Sequence, residues 1–333
     1  MVIDVATMSY VAIVQAGSIL YDTVATLDKL ENLTKEAATN GAKLIVFPEA
    51  FVGGYPKGLD FGIVTGTRSS EGREEFRRYY DSAIEEHGSE SKRISEIAAI
   101  YDVFIVVGVV ERHGDTVSKI DNRFFLLVFF YAPNGYLGKH RKLMPTAMER
   151  CIWGNGDGST MPVYNTAVGK IGAAICWENY MPMYRMTLYN KGIELYLACT
   201  VDDRETWLPT MRMIALEGRC YVISSAQFLT SSAYPEDHPM RMKHGQDKVS
   251  KITHSISYIM FPILIRGGSC AIDPLGNVLV QPDFTKELIH YVHVDLSRIA
   301  CAKMDMDTVG HYSRPEVFQL IVNEKPFLPV VEQ

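Results

Sequence analysis

Short apolar runs alternate along this chain with longer stretches whose apolar residues recur every three or four positions. The first pattern predicts buried strands and the second predicts amphipathic helices. Residues 23–40, for example, place Val24, Leu27 and Leu30 on one helical face, and Gly41 is well placed to end that helix. Strands are further predicted at 10–15, 44–47, 103–110, 124–132, 193–200 and 221–226, and helices at 91–101, 183–190 and 206–218.

The segments between these elements indicate how the strands are connected. The turn sequence DPLGN at 273–277 predicts a hairpin between strands at 269–272 and 278–281. Residues 56–70, rich in Gly and Thr, predict a loop, and GNGDG at 154–158 predicts a tight loop because it lacks the Lys-Ser/Thr ending of a phosphate-binding motif. Alternating strands and helices favour an α/β fold, and the hairpin makes its sheet mixed. Since no linker or repeat divides the chain, residues 1–333 are predicted to form one domain.

Composition and charge exclude several functions. The chain has 333 residues, 47% of them hydrophobic, and a formal net charge of -6, so we expect a large core and no basic surface for nucleic acid or an anionic membrane. The longest apolar runs are far shorter than the roughly 20 residues of a membrane-spanning helix. The first residues lack the pattern of a signal peptide. We therefore expect a soluble, cytoplasmic protein.

The cysteine and histidine spacings predict neither disulfides nor metal ligands. The six cysteines are scattered without CxxC pairs, which favours free thiols in a reducing compartment. His290 and His293 lie in a predicted strand, where positions three apart point to opposite faces, so a structural role is expected for each.

Three polar residues follow predicted strands in the way that active-site residues often do. Cys176 ends the apolar run 169–175, Glu49 follows the run 44–47, and Lys142 lies in a basic stretch after the strand at 124–132. Taken singly, Cys176 is typical of a buried core thiol, Glu49 of a surface carboxylate and Lys142 of a solvated turn. Together they suit one chemistry, in which a thiolate attacks carbon, a carboxylate moves the proton and an ammonium stabilises the anion that forms. A nearby lysine would lower the thiol pKa, and burial would raise that of the glutamate.

Ordered sequence blocks over most of the chain resemble the carbon–nitrogen hydrolase (nitrilase) superfamily. The block CWENYMP at 176–182 and the block ERCIWG at 149–154 are similar to its true nitrilase branch rather than to its amidase or carbamoylase relatives. The other matching blocks are FPEA at 47–50, HRKLMPT at 140–146, ALEGRC at 215–220, RGG at 266–268 and GHYSRP at 310–315.

The resemblance implies a four-layer α-β-β-α sandwich with mixed sheets. It places a Glu–Lys–Cys catalytic triad on Glu49, Lys142 and Cys176, with Glu149 as a further active-site residue that positions the substrate. Trp177, beside the nucleophile, is expected to position the substrate as well, with core packing as the alternative. It implies no organic cofactor and no metal. It also implies a homo-oligomer built from dimers, which in some members extend into spirals, with contacts expected at residues 183–190 and in a C-terminal tail from about 296 to 333.

The activity implied by the resemblance is hydrolysis of an organic nitrile to a carboxylic acid and ammonia, through a thioimidate and then a thioester on Cys176. A cyanide-hydrating or cyanoalanine-type nitrilase is the nearest alternative, followed by an amidase or carbamoylase. An inactive oligomeric scaffold is the alternative without catalysis. Nothing in the chain ranks the possible nitriles.

Two stretches, 117–126 and 249–262, have no counterpart in the family pattern. Both begin with Val-Ser-Lys, and the second runs into the apolar segment 257–265. Two hypotheses account for them: loops that alter the pocket or the assembly, or translated non-coding sequence in the gene model. An apolar segment in a loop would need a surface on which to be buried.

Overall fold

The computed structural model describes residues 8–113, 123–243 and 261–327. The helices of these residues are α1 Thr23–Thr39, α2 Ser70–Asp81, α3 Ser89–Ile100, α4 Pro182–Asn190, α5 Trp207–Gly218, α6 Pro239–Lys243 and α7 Ser297–Asp305. The strands are β1 Met8–Gln15, β2 Leu44–Val46, β3 Phe104–His113, β4 Arg123–Ala132, β5 Gly135–Arg141, β6 Tyr164–Thr166, β7 Gly169–Ile175, β8 Leu195–Thr200, β9 Tyr221–Ala226, β10 Phe228–Thr230, β11 Ile263–Arg266, β12 Cys270–Ile272, β13 Val278–Val280 and β14 Leu288–Asp295.

The strands form two six-stranded mixed sheets and one short pair. The first sheet has the order β14-β1-β2-β3-β4-β5 and the second has the order β13-β12-β9-β8-β7-β6, while β10 pairs with β11. At the centre of the first sheet β1, β2 and β3 run parallel, as β7, β8 and β9 do in the second, and antiparallel strands extend both sheets. Because parallel strands leave the sheet at one edge, the residues that follow β2 and β7 are brought to one end of the molecule.

Alternating side chains of each strand serve two separate hydrophobic cores. In β1, Val11 and Ile13 pack in the core between the two sheets, whereas Ala12 and Val14 pack toward α1 and α3. A third cluster joins the outer face of the second sheet to α4 and α5. This layering confirms the predicted four-layer α-β-β-α sandwich with mixed sheets.

Most predicted elements are confirmed, with ends displaced by no more than three residues. They include the hairpin around residues 273–277, which joins β12 to β13. Helix α2 was not predicted. Its sequence, SEGREEFRRYYD, buries only Gly72 and Tyr79, so it lacks the apolar face that makes a helix visible in a sequence. Strand β5 was also not predicted, because its half-buried, basic and Gly-containing sequence resembles a turn.

The two stretches without a family counterpart lie mostly outside the described residues, which exclude 117–122 and 249–260. The end of the first stretch belongs to β4, which pairs with β3 as far as His113 and Arg123. Part of the apolar segment after the second stretch is strand β11, in which Ile265 is fully buried. Residues 263–265 of that segment therefore have a place in the fold. Among the described helices, none has both the length and the apolar character required to cross a bilayer.

Candidate active site

Glu49, Lys142 and Cys176 converge at the end of the sandwich where the parallel strands leave the sheets. Glu49 follows β2, Lys142 follows β5, and Cys176 follows β7 of the opposite sheet. The Lys142 Nζ lies 2.8 Å from Glu49 Oε1, and the Cys176 thiol is close enough to the Glu49 carboxylate for each group to shift the pKa of the other. Glu49 and Lys142 are fully buried and Cys176 is only 4% exposed. The fold thus assembles a thiol, an ammonium and a carboxylate from segments distant in sequence.

The backbone at Cys176 is a sharp bend between β7 and a 3₁₀ turn over Cys176–Tyr180. Its φ of 51° lies in the left-handed region, which costs a residue other than glycine about 1–3 kcal/mol. Asn179 holds the bend, since its Nδ2 donates to the carbonyl of Cys176 at 2.7 Å. A strained strand-to-helix bend of this kind presents a nucleophile at the end of a sheet.

Lys142 is held between two carboxylates. Its Nζ donates to Glu149 Oε2 as well as to Glu49, both at 2.8 Å. Glu149 in turn accepts hydrogen bonds from the Tyr55 hydroxyl at 2.8 Å and from the main-chain N–H of Thr146 at 2.6 Å. Burial opposes the charge on Lys142, but the neighbouring carboxylates outweigh it and raise its pKa above the usual range. The lysine is therefore a fixed cation at neutral pH.

Glu49 has the properties of a general base. Burial raises its pKa to about 7, although Lys142 opposes the shift. Its second oxygen accepts from the main-chain N–H of Val201 at 3.0 Å. Gly108 leaves room for the backbone around Glu49, because a Cβ at position 108 would lie 2.6 Å from the Glu49 Cα. A carboxyl with a pKa near neutrality exchanges protons efficiently.

The Cys176 thiol is protonated at rest. Burial and the negative charge of Glu49 raise its pKa well above the usual range. Lys142 lowers that pKa, as expected from the sequence, but its contribution is smaller than the other two. A nucleophilic role for this thiol would require it to give up its proton, and Glu49 is the carboxylate whose charge acts most strongly on it.

Trp177 lies at the rim beside the buried groups and is 44% exposed. Its Nε1 donates to Asp202 Oδ2 at 2.9 Å, and the Arg204 guanidinium covers its ring at 4.8 Å from the centroid. Tyr180 packs edge-on against the same ring. The rim thus combines aromatic faces with an Arg204–Asp202 ion pair.

The structure brings together four of the sequence candidates, Glu49, Lys142, Cys176 and Glu149, and places Trp177 at their rim. Sequence reasoning missed Tyr55, Gln227, Asp202 and Arg204, which all lie outside the helices and strands. No local pattern distinguishes them, although Tyr55 follows the positive-φ residues Gly53 and Gly54. In the described ranges, no group of three or more His, Cys, Asp or Glu side chains is arranged to hold a metal ion.

A buried thiol, ammonium and carboxylates on a four-layer sandwich fit the class of hydrolases that use a cysteine nucleophile. The family model for "Carbon-nitrogen hydrolase" matches residues 10–304. The chain belongs to the carbon–nitrogen hydrolase family.

Named relatives support this assignment, and a solved structure supports the fold. The chain is 48% identical over 318 residues to bifunctional nitrilase/nitrile hydratase NIT4A of Lupinus angustifolius, covering 96% of this chain and 87% of the relative. It is also 48% identical to nitrilase 3 of Arabidopsis thaliana over 329 residues, which are 98% of this chain and 90% of that relative. The crystal structure of Saccharomyces cerevisiae Nit3, a member of branch 10 of the nitrilase superfamily, has a TM-score of 0.66 at 19% identity and covers 92% of this chain and 97% of its own. The likeness to the Nit3 structure concerns the fold alone.

Proposed function

We propose that this protein is a nitrilase that converts an organic nitrile into the carboxylic acid and ammonia. The contact of Lys142 with Glu49 beside the Cys176 thiol carries the proposal, because it supplies an acid–base group and a fixed cation next to a nucleophile. Relatives at 48% identity that are named nitrilases support it.

The first half of the reaction forms a thioimidate. Glu49 takes the thiol proton as the sulfur of Cys176 adds to the nitrile carbon, and it returns that proton to the nitrogen. Lys142 stays protonated and stabilises the negative charge that develops on this nitrogen. The ion pair with Glu149 keeps the ammonium pointed at the reacting atoms.

The second half consumes two water molecules. Water adds to the thioimidate carbon while Glu49 passes one of its protons to the nitrogen, which gives a tetrahedral intermediate. A second proton reaches the nitrogen from the new hydroxyl as the C–N bond breaks, so ammonia leaves and a thioester remains. The second water hydrolyses the thioester, releasing the acid and restoring the thiol.

A partial amide product is the second candidate activity. If the tetrahedral intermediate breaks its C–S bond instead of its C–N bond, the thiol returns and an amide leaves. The relative named bifunctional nitrilase/nitrile hydratase favours this outcome as a minor path here.

At the rim, Trp177 positions the substrate, with Tyr180 and Arg204 beside it.

The experiment that tests the proposal is ammonia release from a panel of nitriles and from the amides of the same carbon chains. Ammonia from nitriles, together with a Cys176 adduct in intact-protein mass spectrometry, is the expected result. Ammonia from the amides alone would make the protein an amidase. Unmodified Cys176 in folded protein across the whole panel would favour the inactive scaffold.

We propose in addition that the protein is a homo-oligomer built from dimers, acting in the cytoplasm. Its six free cysteines suit a reducing compartment. After α7, residues 306–327 extend over the surface with large apolar side chains exposed, among them Phe318 at 78% and Ile321 at 91%. Such side chains call for a covering surface, and a second copy of this chain is the partner proposed.

A further inference from the structure

A buried carboxylate joins the two chain segments that carry Cys176 and Lys142. Glu178 Oε2 accepts a hydrogen bond at 2.7 Å from the main-chain N–H of Ile175, the residue before the thiol. Its Oε1 accepts one at 2.5 Å from the N–H of Leu143, the residue after the lysine. These segments leave opposite sheets of the sandwich, so one side chain sets the distance between them.

Glu178 is itself held by a charged histidine. His140 Nε2 lies 2.9 Å from Glu178 Oε2, and Nδ1 lies 2.7 Å from the carbonyl oxygen of Thr160. Both partners are acceptors, so both ring nitrogens donate and the ring is an imidazolium. Tyr184 stacks on this ring with its hydroxyl 3.1 Å from Nε2.

The environment of His140 agrees with a positive charge. Burial opposes that charge, but the carboxylate of Glu178 and the Thr160 carbonyl outweigh it and raise the pKa of His140. Both side chains of the ion pair are completely buried. A buried ion pair with every neighbouring donor satisfied is rigid, because breaking it would leave an unpaired charge.

We propose that Glu178, held by the His140 imidazolium, is a positioning residue that fixes the Cys176 thiol against the Lys142 ammonium. The inference rests on the proposed function for its role in turnover. Glu178 acts through the main chain, since its bonds to the N–H groups of residues 143 and 175 determine where the neighbouring side chains point. Small displacements of such groups have large effects on rate.

The direct test is the Glu178→Gln variant. Three groups donate to Glu178: the N–H groups of residues 143 and 175 and the His140 ring. Gln keeps the shape of the side chain but replaces one acceptor oxygen with an NH₂ group, so one of these donors must face another donor. We expect kcat to fall about 100-fold with KM within about threefold of the original, because alignment and not binding is lost. The matched control is Glu75→Gln, which removes the carboxylate charge of Glu75 on α2, the partner of His238, and is expected to keep kcat within about twofold.

The result that overturns the inference is folded Glu178→Gln protein with unchanged kcat, or an equal loss in both variants. Circular dichroism and thermal melting establish that each variant is folded. If Glu178→Gln does not fold, His140→Gln decides by the same criteria, because it removes the imidazolium and leaves Glu178 in place.

A second measurement separates this inference from the proposed function. Butanal adds to a thiol without nitrile chemistry: the sulfur bonds to the aldehyde carbon, and the thiol proton passes through Glu49 to the oxygen, which Lys142 stabilises. Its binding is measured as protection of Cys176 from iodoacetamide, with the peptide of exposed Cys301 as internal reference. We expect Glu178→Gln to require about tenfold more aldehyde for half-protection. Equal protection in both proteins overturns the positioning role, whether or not any nitrile is hydrolysed.

Discussion

Gln227, the residue between β9 and β10, holds the peptide of Glu49. Its Nε2 donates to the Glu49 carbonyl at 2.7 Å and to the Ala50 carbonyl at 3.2 Å. Ala50 has a φ of 50°, so the chain leaves the glutamate through a strained residue. The carboxamide therefore stabilises a bend that the backbone disfavours, and this bend directs the Glu49 side chain toward Lys142.

The variant Gln227→Glu should lose both stability and activity. A carboxylate cannot donate to the two carbonyls and repels them, so we expect the free energy of unfolding to fall by about 1–3 kcal/mol. We expect kcat to fall about 10- to 100-fold because Glu49 moves. Chemical denaturation and ammonia release measure the two effects. The control Gln319→Glu adds the same charge in the exposed tail. An equal loss of stability and activity in this control would refute the role given to Gln227.

The variant Cys176→Ala should be folded and inactive. Alanine removes the nucleophile and little volume, so we expect nitrile turnover to fall by about 10⁴-fold or more with only a small change in melting temperature. Cys270→Ala removes a thiol that is equally buried but belongs to β12, and it should retain activity. Covalent adduct on the Cys176→Ala protein, seen by mass spectrometry, would point to another nucleophile.

The pH dependence should report the ionisation of Glu49. The carboxylate is the form that accepts the thiol proton, and its pKa is about 7. As pH falls below that value the base becomes protonated, so kcat/KM should fall about tenfold per pH unit on the acid side. Initial rates between about pH 5 and about pH 8 measure this limb. A profile flat through that range would exclude Glu49 as the base.

The variant Tyr55→Phe should weaken the support of Glu149 without destroying it. It removes one hydrogen bond to the carboxylate, while Lys142 and the Thr146 N–H remain as donors. A single hydrogen bond is worth about 1 kcal/mol, so we expect kcat/KM to fall about fivefold. Tyr80→Phe removes a hydroxyl from a partly exposed position on α2 and serves as the control. A loss above about 100-fold would show that Tyr55 acts in the reaction itself.

Charges in the apolar tail should prevent self-association. We expect the double variant Phe318→Glu with Ile321→Glu to sediment as a smaller species than the unaltered protein, because both side chains are exposed in the single chain and would be buried against a second copy. Analytical ultracentrifugation measures the change. The control Lys325→Glu changes the charge of the same tail without removing an apolar side chain. An unchanged sedimentation coefficient in the double variant would exclude the tail from the interface.

The sequence predicted those parts of the molecule that have a local pattern. Cys176 and Glu49 were candidates because each follows an apolar run, and their convergence follows from parallel strands in facing sheets. Gln227 and Tyr55 were not predicted, because their roles depend on contacts between distant segments. The protonation state of the Cys176 thiol also depends on tertiary structure, since burial raises its pKa more than Lys142 lowers it.

The left-handed backbone at position 176 limits which nucleophile this fold can carry. β-Branched side chains are strongly disfavoured at positive φ, so threonine in this place would force the bend to relax and would move the hydroxyl away from Glu49. Serine fits the backbone but has a much less acidic group to ionise in so buried a location. The conformation of one residue therefore ties this framework to sulfur.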